Sequence, residues 1–322
     1  MLFSSGLKIV AATCLLLLLW PALSFAALSN PPVEDIHFRA EHLAEAAQEA
    51  RYSVLPLPEV GVRSARWTPV VQAGIARADG EFAEASGELF AAGASRAWGN
   101  HWGLGLFAFY DRFDVDGGGY QSALTPGNLD GVPLDIPESA EFTAPSGAFR
   151  HHGVGVVVTR DHVGAHDTAR WGYIGGLLLE RLDLSDYRVH YRLLGGADAG
   201  AGGEVDHSGS NTLVTVLFGV QGIQHITPRL ALTPHVIIGA PLAPGEFTTR
   251  MTGPGFDIST AATGGRPGNI GDAFLALGMG LRDRTSGLAI DVGAALGFPA
   301  YQRYVHEGID RSVLVSVSWH GG

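Results

Sequence analysis

The chain has 322 residues, 45 glycines, one cysteine and a formal net charge of −11. That acidic balance argues against binding nucleic acid, which needs basic surfaces to displace counterions. Glycine stands at about twice its usual share without a three-residue period, which excludes a collagen-like fibre, and a lone cysteine excludes a disulfide framework.

Residues 1–26, "MLFSSGLKIVAATCLLLLLWPALSFA", carry one cation (Lys8), an apolar run from Ile9 to Trp20, a helix-breaking Pro21, and small residues at Ser24 and Ala26. This is the layout of a secretory signal peptide cut after Ala26. The apolar run is shorter than the roughly 20 residues that a spanning helix needs. Cys14 precedes most of that run and leaves with the leader, so the exported chain has no cysteine.

Residues 27–66 form an N-terminal helix and linker. In "SNPPVEDIHFRAEHLAEAAQEARYS", Asn30 and two prolines make a helix start, and Glu34 and Asp35 suit its first turn. Val33, Ile36, Ala40, Leu43, Ala47 and Ala50 recur at spacings of three and four. The stripe is too thin to be a core alone, and the helix is too polar to cross lipid.

From residue 67 onward the period changes to two. In "SGLAIDVGAALGF" (286–298), Leu288, Ile290, Val292, Leu296 and Phe298 alternate with Gly287, Ala289, Asp291, Gly293, Ala295 and Gly297. The same bulky-against-small alternation runs through "WGLGLFAFYD" (102–111), "AFLALGMGLR" (273–282) and "SVLVSVSWH" (312–320). It predicts ten strands near 67–78, 82–96, 100–114, 148–161, 170–184, 210–225, 228–241, 270–284, 286–299 and 309–320. At 82–96 the residues are mostly small on both faces, and a helix is the competing reading there. A further hairpin within 115–148 or 242–266 would raise the count to twelve, and "EFTTRMTGPGFDIST" (246–260) is a candidate to pair with itself.

Long Gly/Pro/Asp/Ser-rich links follow the strands ending at 114, 184, 241 and 299, and short turns follow those ending at 96, 161, 225 and 284. That alternation predicts a transmembrane antiparallel up-and-down β-barrel over 67–322, with short periplasmic turns and long external loops. A soluble sandwich would place its bulky residues inside and charges outside, whereas the second face here is mostly glycine and alanine. The bulky residues therefore face lipid. Trp67, Trp102, Trp171, Phe298 and Trp319 are expected at the membrane interfaces. Asp111, Glu180, His235, Asp272, Arg282 and Asp291 are expected to face the lumen. Gly103, Gly105, Gly278, Gly280, Gly287, Ala289 and Gly293 leave room inside for a helix about 10 Å across. The N-terminal helix lies in the periplasm, sits at the mouth or threads the lumen, and the small lumen faces favour the last.

A helix leading into a glycine- and aromatic-rich barrel resembles the translocator domain of autotransporters. The likeness extends to "GLGLFAFYDRFDVDGGG", a strand running through Tyr110 into an Asp/Gly loop, and to "ITPRLALTPHVIIG", a tight turn before a Leu-x-Pro strand. It implies an integral outer-membrane protein inserted by the barrel-assembly machinery and surrounded by outer-membrane lipid and lipopolysaccharide. The chain departs from the family in having only a handful of residues between leader and helix, hence no passenger. Family translocators have twelve strands, and here Trp319 is followed by His-Gly-Gly where a terminal aromatic is usual.

The residues suggest no cofactor. A hydrolase would need a nucleophile or water beside an imidazole that a carboxylate orients. The available material is Asp111, Asp114, Asp116, Glu180, Asp183, Asp186 and His190, although on an unbroken strand 183 and 190 face opposite ways. Loop capping and rim hydration account for these acids. His151 and His152 alternate faces, and His162 and His166 have helical metal spacing but no third ligand. A non-enzymatic barrel with a structural, surface-interaction or secretion-related role is the leading expectation. A passive porin-like channel and a surface lipid or peptide hydrolase are the alternatives.

Overall fold

The computed structural model describes residues 48–58, 66–79, 84–98, 101–116, 119–122, 140–162, 169–194, 200–241, 245–253, 256–264, 273–298 and 311–321. Among them are thirteen strands: β1 (Thr68–Asp79), β2 (Glu84–Trp98), β3 (Trp102–Asp116), β4 (Gly119–Ser122), β5 (Ala140–Asp161), β6 (Ala169–Leu193), β7 (Gly202–His225), β8 (Leu230–Pro241), β9 (Gly245–Gly253), β10 (Phe256–Gly264), β11 (Ala273–Asp283), β12 (Leu288–Phe298) and β13 (Arg311–His320). Ten of these, all but β4, β9 and β10, close into one antiparallel barrel. The ring shuts where β1 meets β13, from Val70 opposite His320 to Asp79 opposite Arg311, and β7 pairs β8 to complete it.

The segment 84–98 is strand, not helix, because each of its residues from Glu84 to Trp98 is in register with β3 and most with β1. Pairing on both sides outweighs the weak local preference of its alanines and glycines. The hairpin at 245–264 forms but does not enter the wall. β9 pairs the outer part of β7, Glu204–Ser210, so the barrel has ten strands and not twelve.

The outward side chains show what solvent surrounds the wall. On β3 the outward face runs Trp102, Leu104, Leu106, Ala108, Tyr110 and then turns charged at Arg112. On β6 it runs Trp171, Tyr173, Gly175, Leu177, Leu179 and then Arg181, and on β1 it runs from Trp67 through Val71 and Ile75 to Arg77. Each switch comes about ten residues after the tryptophan, which at a tilt of about 40° covers about 25 Å, the height of a barrel's apolar band. Within the band Ile75, Leu177, Leu179, Ile290 and Val317 are more than half exposed in the isolated chain. Such a surface suits hydrocarbon and not water.

Trp67, Trp98, Trp102, Trp171 and Trp319 all lie at the short-turn end, 40–76% exposed. The Arg160 guanidinium lies 5.2 Å over the Trp102 ring, and Trp319 Nε1 donates to the Ser286 carbonyl at 3.1 Å. These contacts anchor the aromatic rim at the headgroup level. Phe298 ends β12 at the opposite, long-loop end. Its side chain is outside the described residues.

β5, β6 and β7 are 22, 25 and 24 residues long and continue well past the apolar band. Their extensions, with β4, β9 and β10, form a sheet that projects beyond the membrane. Its faces are water-soluble in character: Arg188 pairs with Asp206 and Glu204, Arg192 pairs with Glu141 at 2.6 Å, and the Asp206 hydrogen bond chiefly holds the Arg188 guanidinium above its ordinary value. The Phe149 and Tyr187 rings stack with centroids 6.3 Å apart at its base.

If the band is lipid-facing, Val292→Arg at mid-height lowers stability in bilayers by about 2–4 kcal/mol, whereas Asp114→Arg above it changes stability by less than about 1 kcal/mol. Urea unfolding in vesicles, followed by tryptophan fluorescence, measures both.

Candidate functional site

The barrel is occupied by the protein's own N-terminal segment. Residues 48–58 are all buried, beginning with one helical turn, α1 (48–52). The turn stops at Ser53, whose amide bonds the Ala50 carbonyl at 3.3 Å and whose Oγ donates to the same carbonyl at 2.8 Å. Pro56 and Pro58 hold the chain extended beyond it, because proline disfavours helix in the residue before.

The segment descends through the lumen. Arg51 and Tyr52 contact Asp111 and Glu180, the latter also bonded by Thr215, about nine or ten residues along their strands from the short-turn end. Ser53 meets His235, and Val54 meets Gln72, near mid-height. Pro58 lies beside Gly103 and Gly105, and its carbonyl accepts from Gln221 at 2.7 Å, near the short-turn mouth. The wall is cut to fit. A Cβ on Gly278 or Gly293 would collide with Ser53, so only glycine admits the segment there.

A chain of ionisable groups fastens the upper part. Arg51, fully buried, donates to both Asp111 oxygens, with Nε to Oδ2 at 3.1 Å, and also to Gln72 Oε1 at 2.8 Å and the Phe90 carbonyl at 3.2 Å. Four of its five N–H groups are thereby satisfied. His151 stands between two carboxylates, Nδ1 at 3.2 Å from Asp111 Oδ2 and Nε2 at 2.8 Å from Glu180 Oε2. Glu180 Oε1 accepts from Tyr52 at 2.7 Å and from Thr215. Carboxylates accept only, so bonding both of them takes an N–H on each ring nitrogen of His151, one proton more than a neutral imidazole carries. With it the four charged groups sum to zero. Tyr52 also stacks on Phe274 at 4.2 Å, and Arg51 lies 5.6 Å from the Phe109 centroid.

Lower down, His235 Nε2 donates to the Ser53 carbonyl at 2.8 Å, and Gln72 Nε2 donates to the Val54 carbonyl at 2.8 Å. Arg282 donates to His320 Nε2 at 2.6 Å, and Ser318 donates to Asp291 Oδ2 at 2.9 Å. A cavity of about 340 Å³ opens at the short-turn mouth beside Pro58, Arg282, Arg284 and His320.

Of the lumen-facing candidates, Asp111, Glu180 and His235 touch the threaded segment directly, and Arg282 and Asp291 lie on the inner wall beside its lower half. Asp272 is outside the described residues. Sequence reasoning did not single out Arg51, Tyr52, Gln72 or Thr215, and it treated His151 as half of an unproductive pair. One signal for His151 exists: it is directly opposite Asp111, with Glu180 diagonal across the next strand. His190 is exposed on the β6 extension, far along the strand from Glu180. A register shift against β7 between Leu184 and Tyr187 turns both Asp183 and His190 outward, correcting the opposite facing expected of an unbroken strand. His162 stacks on Trp171 at 4.2 Å, and His166 is outside the described residues. Among the described residues no three His, Cys, Asp or Glu side chains converge as a metal site.

No family model matches the sequence, and no curated protein matches it. Solved structures similar in fold are all barrels. The outer-membrane protease OmpT of Escherichia coli aligns over 83% of this chain and 99% of its own at 6% identity, with a TM-score of 0.48. The translocator domain of autotransporter NalP from Neisseria meningitidis aligns over 79% and 88% at 11% identity, TM-score 0.30. A major outer membrane protein from Thermus thermophilus aligns over 79% and 99% at 11% identity, TM-score 0.34.

Breaking the buried pair exposes its cost. Arg51→Met removes the guanidinium from Asp111 and leaves it only the His151 ring, for an expected loss of about 3–5 kcal/mol. Adding Asp111→Asn recovers part of it, so the double variant is more stable than the two single losses sum to. Urea unfolding of the four proteins in detergent closes the cycle, and strict additivity speaks against a coupled pair.

Proposed function

We propose that the chain is an outer-membrane β-barrel, exported by its leader and held closed by its own N-terminal segment. Its role is structural, surface-interacting or secretion-related, autotransporter-like in layout and not enzymatic. The observation that carries this reading is the continuous burial of residues 48–58, anchored from Arg51 at the upper end to Pro58 at the lower. Chain direction supports the autotransporter-like layout. The segment travels from the long-loop half toward the short-turn end, where β1 begins.

An open porin-like channel is disfavoured because the polar lumen groups bond the occupant and not a water column. For a hydrolase, the carboxylates would need an unengaged edge toward substrate. Instead Arg51, His151, Tyr52 and Thr215 occupy the Asp111 and Glu180 oxygens.

Planar-bilayer recording decides between plugged and open. The refolded chain from residue 27 is expected not to conduct, and deletion of 27–58 is expected to produce discrete ion-conducting steps. Gly293→Val, which crowds Ser53 without touching a charge, should produce intermittent openings. Equal conductance with and without the segment rejects the plugged reading, provided heat-modifiable gel mobility shows that both proteins are folded.

A further inference from the structure

On the outer wall, just above the apolar band, cations lie side by side. Arg112 on β3 is directly opposite Arg150 on β5, which has Asp183 opposite it on β6, and Arg181 lies in the adjacent outward-facing row, opposite the His152 ring. Arg112 pairs with Asp114 at 3.2 Å and Arg181 with Asp183 at 2.8 Å. Among the described residues Arg150 makes no ion pair within 4 Å. Like charges directly opposite one another on a sheet face are destabilising unless an anion lies between them.

Immediately below is an open apolar groove of about 710 Å³. It exists because Ala92 and Ala108 face outward between larger neighbours, with Val154, Val156, Leu177, Leu179 and Val214 lining the rest. It crosses five neighbouring wall strands, β2, β3, β5, β6 and β7, or about 20 Å at the usual strand spacing, wider than a two-chain lipid. The cations sit at the end toward the long loops, and the groove runs down from them into the hydrocarbon.

We propose that this face binds one phosphorylated, multiply acylated glycolipid of the outer leaflet, of the lipopolysaccharide class. Phosphate lies between Arg112, Arg150 and Arg181, and acyl chains fill the groove. The guanidinium fork matches phosphate oxygens two at a time, which a lysine cannot do. Glu88 opposite Arg112 and Asp183 opposite Arg150 border the pair, Asp114 bonds Arg112 and Asp183 bonds Arg181, so Arg150 is the guanidinium that no carboxylate among the described residues offsets within 4 Å. The inference rests on the outer-membrane reading, with the long-loop end facing outward. It does not depend on whether the lumen is plugged.

The test is native mass spectrometry of the full refolded chain in detergent. The probes are hexa-acylated bisphosphorylated diglucosamine lipid, its monophosphorylated form, and phosphatidylglycerol. The wild type should retain the bisphosphorylated glycolipid about tenfold better than phosphatidylglycerol, and Arg112→Gln with Arg150→Gln should lose about that factor. Arg150→Lys should lose less, and Ala92→Phe with Ala108→Phe should weaken binding with the charges intact. Arg188→Gln, in the ion-paired extension, should bind like wild type. Undiminished binding by the double glutamine variant overturns the site, and equal retention of phosphatidylglycerol reduces it to a generic anionic-lipid rim and overturns the glycolipid assignment. Heat-modifiable mobility of each variant keeps a folding defect apart from a binding defect. Failure of the wild type itself to show that mobility would sink the barrel reading rather than this one.

Discussion

Within the apolar band there is no water to satisfy a backbone amide or carbonyl, so every such group must find its partner inside the protein. Closure follows from that constraint. β1 meets β13 across ten residue pairs, from Val70–His320 to Asp79–Arg311, and no wall strand presents an edge to lipid. The same constraint inverts the usual distribution of side chains. Bulky aliphatic groups face outward, and the interior receives polar groups, glycine and an apolar cluster in which Phe107, Phe109, Leu178, Leu217, Ile237 and Phe274 pack with Tyr52, Leu55 and Leu57 of the segment.

A ten-stranded tube leaves space that something must fill, and the filler must satisfy the wall's polar groups and cover its apolar ones. Residues 48–58 do this by backbone as much as by side chain: His235, Gln72 and Gln221 each donate to a carbonyl of the segment. The upper anchor is different in kind. Burying Arg51 costs several kcal/mol of desolvation, offset only because Asp111, Gln72 and the Phe90 carbonyl are already in position. Arg51 and Tyr52 of the segment and the carboxylates of the wall are therefore complementary, and neither set is satisfied without the other.

The wall was legible in the sequence because period two survives wherever one face must be apolar. Strand positions agree to within a few residues for β1, β3, β8, β11, β12 and β13. The outer third of each of β5, β6 and β7 was missed because beyond the band neither face must be greasy, as Arg188, His190 and Arg192 illustrate. The β9–β10 hairpin was recognisable as a pair, but its attachment to β7 outside the wall depends on register that no local pattern encodes. Inward acids could be read from parity alone. Their partners could not, since Arg51 lies 60 residues from Asp111 and Tyr52 lies 128 from Glu180. The helical stripe drew attention to Ala47 and Ala50, whereas the residues that do the binding are the polar ones beside them.

Where the buried charges sit also follows from alternation. Asp111 precedes Arg112, Glu180 precedes Arg181, and His151 follows Arg150, so each of these three inward groups is one residue from the point where the outer face turns charged. That is the upper boundary of the band, where water and headgroups lie closest outside the wall and the low-dielectric layer is thinnest. An ion chain at mid-height would meet hydrocarbon on every side through a wall one strand thick. At the boundary, the external arginines are chain neighbours of the buried carboxylates and of His151, so the ion chain lies level with the charged belt outside the wall. The height of the plug's anchor is thus set by the thickness of the lipid layer, through the same period-two geometry that makes the wall.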